Sequence, residues 1–205
     1  MFEQESSERI MSFHDRCHVV ANWAKSASAH HASGFWQVVE LNHRFNCLLW
    51  DEEDLARRMR VADAEIAANK RAIDGYNQKR NDAIERMDEV MLGALAGVKR
   101  MPGARLNSET AGSMVDRLSI LSLKIYHMRL QTARADVDQS HIDTCTTRLL
   151  RFLEQRGDLA GCFDRLLAES ARGAGWFKVY RQFKMYNDPN LNPAVYGEER
   201  GANRA

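Results

Sequence analysis

Asp116, His127 and His43 are the residues of this chain best suited to moving a proton. A carboxylate or an imidazole becomes a useful general acid or base when its surroundings tune it towards neutral pH. Asp54, Asn77, Arg80, Lys124, Lys178 and Arg181 are candidate ligand-binding groups. Guanidinium and ammonium groups of this kind recognise phosphates and carboxylates. Together the two sets suit a small anionic ligand such as a sugar phosphate or a nucleotide sugar. The residues are scattered in sequence, so their meaning depends on the elements that carry them.

Asp116, Lys124 and His127 share the stretch Asn107 to Leu130. Asn107, Ser108 and Thr110 are all good helix N-caps, and Glu109 complements the helix dipole. At about 100° per residue, Met114, Leu118, Leu121 and Ile125 fall on one face. Asp116, Ile120, Leu123 and His127 fall on the opposite one, with Lys124 beside them. A helix apolar on both sides is an interior helix, and its acid and imidazole are then paired polar groups or a site.

His43 and Asp54 sit on a helix predicted from about Gly34 to Arg58. One face carries Val38, Leu41, Phe45 and Leu49, and the other carries Trp36, His43, Cys47, Trp50 and Asp54. That second face reads either as a histidine packed between tryptophans or as an aromatic-walled pocket. Asn77 and Arg80 belong to a helix from Asp63 to about Leu95, centred on the stripe of Ile66, Ile73, Ile84, Met87 and Met91. An arginine there requires a carboxylate or a bound anion, and Asp116 and Asp54 are the protein partners available.

A first helix is expected from Ser6 or Ser7 to about Ala29, with His14 and His18 one helical turn apart. That spacing can grip a metal, but no third ligand lies nearby in sequence. Residues 96–106 read as a loop, and Asp138 caps a helix reaching about Arg172. Gly173 and Gly175 break it, and a short helix from Trp176 to Tyr186 is expected to carry Lys178 and Arg181. The fold class is therefore all-α, a single-domain antiparallel bundle of four to five long helices plus a short C-terminal helix. The domain is expected to span residues 1–196, with a disordered tail from 197 to 205.

Composition narrows the classes. Apolar residues make up 44% and charged residues 28% of 205, an ordinary globular mix. A net charge of +1 gives no electrostatic case for nucleic acid as a partner. No apolar run approaches the roughly 18 residues of a membrane span. The N-terminus is acidic and unlike a signal peptide, and the four cysteines form no CxxC, which together suggest a reduced cytoplasmic setting. Dispersed histidines and cysteines without ligand spacing predict no tightly bound transition metal and no cofactor.

The segments LNHRFNCLLWDEED, EIAANKRAIDGYNQKRNDAIERMDE, RLNSETAGSMVDRLSILSLKIYHM and WFKVYRQFKMYNDPNLNP resemble a bacterial family, the domain-of-unknown-function family numbered 4254. The resemblance covers about residues 35–196. It implies a helical protein encoded near glycosyltransferases of surface-polysaccharide synthesis, a pathway and not a reaction.

Three functions follow as expectations. The first is binding or processing of a small anionic ligand. The second is a non-catalytic adaptor or homodimer partnering a glycosyltransferase. The third is a magnesium-dependent nucleotide pyrophosphohydrolase, for which Asp51 to Asp54 and the Glu85–Asp88 pair would be the two acidic motifs. For the first, His43, Asp116, Lys124, His127 and Arg181 are expected to line one shared cleft.

Overall fold

The structure, a computed structural model, describes residues 2, 5–26, 31, 33–183, 185, 188–194 and 196–197. Five α-helices account for most of these: α1 (Ser7–His18), α2 (Gly34–Leu55), α3 (Asp63–Ala94), α4 (Ala111–Thr132) and α5 (Gln139–Ala171). Helices α2 and α3 form one antiparallel hairpin, tied by the Asn69 amide donating to Glu52 at 2.6 Å. Helices α4 and α5 form a second, and α1 lies across α4 and α5. The all-α bundle expected from the sequence is present. No helix among the described residues is long and apolar enough to cross a membrane.

The caps explain the boundaries. Thr110 starts α4 by accepting from the backbone N–H of Ser113, and Asp138 starts α5 by accepting from that of His141. Helix α1 is capped from outside: the Asp164 carboxylate of α5 accepts the Ser7 N–H at 2.9 Å and the Ser7 hydroxyl at 2.6 Å. This fastens the start of α1 to the body. Arg156 of α5 holds the middle of α1 through Asp15 at 2.7 Å. Arg156 therefore sits within an apolar stripe because it is paired.

Helix α1 is shorter than its sequence suggests. It ends at His18 because Val19 and Val20 face solvent and Asn22 turns the chain with φ 54°. That turn drops Trp23 into the core as part of a 3-10 turn, Trp23–Lys25. The Arg44 guanidinium holds it there, donating to the Trp23, Ala24 and Ser26 carbonyls and lying 4.8 Å over the indole. The rest of the expected first helix, residues 27–29, lies outside the described residues.

The helix expected from Trp176 to Tyr186 is not formed over residues 176–183; residues 184 and 186 lie outside the described residues. Gly173 reverses the chain at φ 75°, and Gly175–Trp176 becomes a strand, β2, paired in parallel with Arg105–Leu106, β1. The Arg105 N–H donates to the Ala174 carbonyl and the Asn107 N–H to that of Trp176, so this backbone is committed to the bridge. Residues 177–183 follow without helix, and Phe177 is buried beneath them. The aromatic and β-branched content of WFKVY favours extended chain, a preference that outweighs the helical spacing read from its apolar residues. Of the expected tail, 198–205 falls outside the described residues.

The core gathers where α1, α2, the second half of α3, α4 and the second half of α5 meet, around Ile10, Val39, Met87, Leu118 and Phe163. Helices α3 and α4 touch most closely at Gly112. Its N–H donates to Asp88 at 2.7 Å, and a Cβ there would stand 2.4 Å from the Ile84 carbonyl oxygen. Gly112→Ala should therefore push the helices apart and destabilise the fold by about 2 kcal/mol or more, read from urea unfolding. Near-wild-type stability would show that α4 can shift freely.

Asp88 also sets a pH dependence. Burial pushes its carboxyl up to about 6, against the lowering effect of hydrogen bonds from Thr110 and Gly112. The folded chain then holds a proton that the unfolded chain releases between about pH 4 and pH 6, so this contribution falls as pH rises through that window. The full difference is about 3 kcal/mol. Asp88→Asn should gain stability relative to wild type across the same window, and a flat difference between the two unfolding profiles would refute this.

Candidate functional site

Asp116 is the hub of a buried polar network between α2 and α4. Its Oδ1 accepts from the side-chain amides of Asn42 and Asn46, both at 2.9 Å. Asn46 also donates to Ser119 at 3.0 Å, and the Ser119 hydroxyl meets Nδ1 of His43 at 2.8 Å. Asn42, His43 and Ser119 are wholly buried. Arg80 of α3 approaches the same carboxylate oxygen from the other side, at 4.0 Å. The arginine's expected partner is thus Asp116, but the two asparagines hold that carboxylate more closely.

Outside this network a groove of about 380 Å³ opens between α2, α3 and α4. Asn46, Trp50, Asp54, Asn77 and Arg80 line it, with Ile120 and Leu123 as its apolar floor. Two buried donors on its wall make no hydrogen bond: Nε of Arg80, whose ion-pair partner Asp116 is 4.0 Å away, and Nε1 of Trp50. Behind Trp50, His127 stacks on the indole at 4.4 Å with the rings 11° from parallel. Burial lowers the His127 pKa despite the opposing charges of Asp54 and Asp51, so the ring is neutral at neutral pH.

Asp54, Asn77 and Arg80 therefore share one groove, with Asp116 and His127 directly behind its wall. The other expected residues lie elsewhere, and the single shared cleft does not form. His43 faces inward. Lys124 turns towards α5, its ammonium 5.7 Å over the Phe152 ring, where it lines a separate cleft with Arg105, Arg117 and Arg165. Lys124 is about 80° from Asp116 around the helix at 100° per residue, enough to place it on a different wall. Arg181 pairs with Glu85 and Glu89 of α3 at 2.6 and 2.5 Å. Lys178 is exposed and lies 5.3 Å over the Tyr180 ring. With no helix over residues 176–183, neither cation is carried over the acid-bearing face of α4.

The two acidic segments of the pyrophosphohydrolase reading are also held apart. Glu52 meets Asn69, and Asn69 stands about 24 Å along α3 from Glu85, at 1.5 Å per residue. Asp51 pairs with Lys25, Glu85 with Arg181, and Asp88 with the start of α4. No shared magnesium site arises from these groups.

A second polar cluster lies behind His43. His14 and His18 of α1 come against His43 and Cys47 of α2, with ring centroids 4.4 Å (His14–His43) and 5.0 Å (His18–His43) apart. The Cys47 Sγ is 3.8 Å from Nε2 of His43, and Nε2 of His18 is 2.6 Å from the Ser122 hydroxyl. Burial drives the His14 pKa down to about 3 and that of His18 to about 4, and holds His43 well below its usual value. Burial pushes the Cys17 thiol up to about 12 and raises that of Cys47 as well. All these groups are neutral at neutral pH.

Residues 36–179 match the family model described as protein of unknown function (DUF4254). The chain belongs to the DUF4254 family. The matched region contains the Asp116 network, the whole groove and Lys178; α1, with His14 and His18, and Arg181 fall outside it. No curated protein and no solved structure matches this DUF4254 chain.

Sequence reasoning overlooked Asn42, Ser119 and Ser122. The i, i+4 spacing of Asn42 and Asn46 opposite an acid on a two-sided helix was the available signal. The network predicts an asymmetry in stability. Asp116→Ala strands two buried amides and should cost about 3 kcal/mol, whereas Arg80→Ala leaves Asp116 bonded and should cost about 1 kcal/mol. Urea unfolding of both variants checks the order, and the reverse order would make the Arg80 pair the main contact.

Proposed function

We propose that the groove between α2, α3 and α4 binds a small anionic ligand, a sugar phosphate or a nucleotide sugar. The supporting observation is the pair of buried donors that make no hydrogen bond, Arg80 Nε and Trp50 Nε1, on one wall. A buried N–H without an acceptor is unfavourable, and a phosphate or carboxylate oxygen would satisfy both. Arg80 is suited to the anionic group because a guanidinium offers a planar array of donors. Asn77 and Asp54 offer hydrogen-bonding groups for hydroxyls, and Ile120 and Leu123 offer apolar contact. The volume suits a compact ligand.

The adaptor reading, with a glycosyltransferase or a second copy as partner, draws support from a different region. Tyr180, Phe183, Met185 and Leu191 near the C-terminus are all substantially exposed. Such a group of apolar side chains suits a protein surface.

Thermal shift of the purified chain with UDP-sugars, hexose 1-phosphates and inorganic phosphate tests the groove. Saturation at about 100 times Kd should add roughly 2.7 kcal/mol of apparent stability, a shift of several degrees. Arg80→Ala should stay folded and lose the shift, and Trp50→Phe should reduce it. No stabilisation by any of these probes, or an equal shift in Arg80→Ala, would reject the groove in favour of the adaptor.

A further inference from the structure

The cluster behind His43 has the construction of a metal site. Helix α1 presents His14 and His18, and α2 presents His43 and Cys47, each pair four residues apart and so on one face of its helix. Where the two faces meet, one ligand atom from each of His18, His43 and Cys47 lies within 4.8 Å of the other two. Bonds of roughly 2.0 to 2.3 Å in a tetrahedron require ligand atoms about 3.3 to 3.8 Å apart. The 3.8 Å from Cys47 Sγ to His43 Nε2 is already close to that limit. Side-chain rotation of about an ångström closes the rest.

The surroundings orient the rings. Ser119 and Ser122, three residues apart on α4, engage Nδ1 of His43 and Nε2 of His18. Ligation through Nε2 of His43 and Nδ1 of His18 would keep both contacts as the outer hydrogen bonds that fix imidazole ligands elsewhere. Metal binding would displace the backbone hydrogen bond between His43 and His14. A separate observation points the same way. His14 is fully buried against the His43 ring, and neither of its nitrogens has a hydrogen-bond partner. Plain packing leaves that polar ring unexplained, since an apolar residue of similar size would avoid the desolvation. His18 and Cys47 are only half-buried, so an ion can reach the cluster from solvent.

We propose that His18, His43 and Cys47 bind a divalent transition metal, with zinc favoured by the two-nitrogen, one-sulfur donor set and the fourth position open to water or a ligand. Three protein ligands with one open position is the arrangement of reactive rather than purely structural zinc sites. His14 is a positioning residue, packed behind the His43 ring. The expectation of no metal arose because His43 and Cys47 lie far from His18 along the chain; the fold removes that distance.

Cobalt(II) titration of the chelator-treated full chain tests the site. One equivalent should produce a thiolate-to-cobalt charge-transfer band with tetrahedral visible bands, and zinc should displace it. Cys47→Ser should abolish the charge-transfer band, and His18→Gln should weaken cobalt binding at least tenfold. Cys162→Ser, at an exposed thiol on α5, should change neither. Circular dichroism establishes that each variant is folded; if Cys47→Ser does not fold, His18→Gln at the end of α1 decides. Absence of a thiolate band in the wild type, a band that survives in folded Cys47→Ser, or unchanged affinity in folded His18→Gln would overturn the proposal.

Discussion

A buried carboxylate with no closely paired cation constrains this bundle. Asp116 lies inside the α2–α4 contact, where an unsolvated charge is tolerated only if its lone pairs are filled. Asn42 and Asn46 fill those of Oδ1 from successive turns of α2. Sliding α2 along α4 by one residue would withdraw both amides at once, so the register of two long helices is set by three polar side chains. Apolar packing alone specifies such a register less sharply, because Leu and Val contacts can be exchanged for similar ones. Arg80 approaches from the third helix and adds α3 to the same point.

The groove between α2, α3 and α4 and the imidazole cluster lie on two sides of this network. Asn46 lines the groove and donates to Ser119, and Ser119 orients His43. A displacement of Ser119 therefore reaches both places through two hydrogen bonds. The network also explains why the second face of α2 is deeply buried although it is polar. Val39, Asn42, His43 and Asn46 form a single inward strip, whereas Leu41 on the expected apolar face is 39% exposed.

Helix boundaries with a strong local signal were legible in the sequence: Thr110 and Asp138 as caps, and the breaks around Gly34, Pro102 and Gly173. The C-terminal end of α1 and the segment after Gly173 were not. There the deciding interactions are distant in sequence, with Arg44 gathering the carbonyls after Trp23 and Arg105 pairing with Gly175. Asp54, Asn77, Arg80 and Asp116 were readable as a neighbourhood because a charge on an inward face demands a partner. Lys124 was misplaced because it stands about 80° from Asp116 around α4, and Lys178 and Arg181 because residues 177–183, expected to be helical, are not. The meeting of His18 with Cys47 was beyond periodicity altogether, since it depends on how α1 crosses α2.

Burial is uneven along the longest helices. Helix α3 has no buried residue before Ile73, and α5 has only Cys145 before Leu159. The outer half of each hairpin is thus held by its partner helix and little else. Regions with few buried apolar contacts open at low free energy while the body stays folded, and they exchange their amide hydrogens early. The groove spans the point where the α2–α3 hairpin leaves the body: Asn46 and Arg80 stand at the fixed end, Asp54 and Arg57 on the outer part. A ligand bridging the two would act as a clamp, and the fraying of one hairpin would set how often the groove admits or releases it.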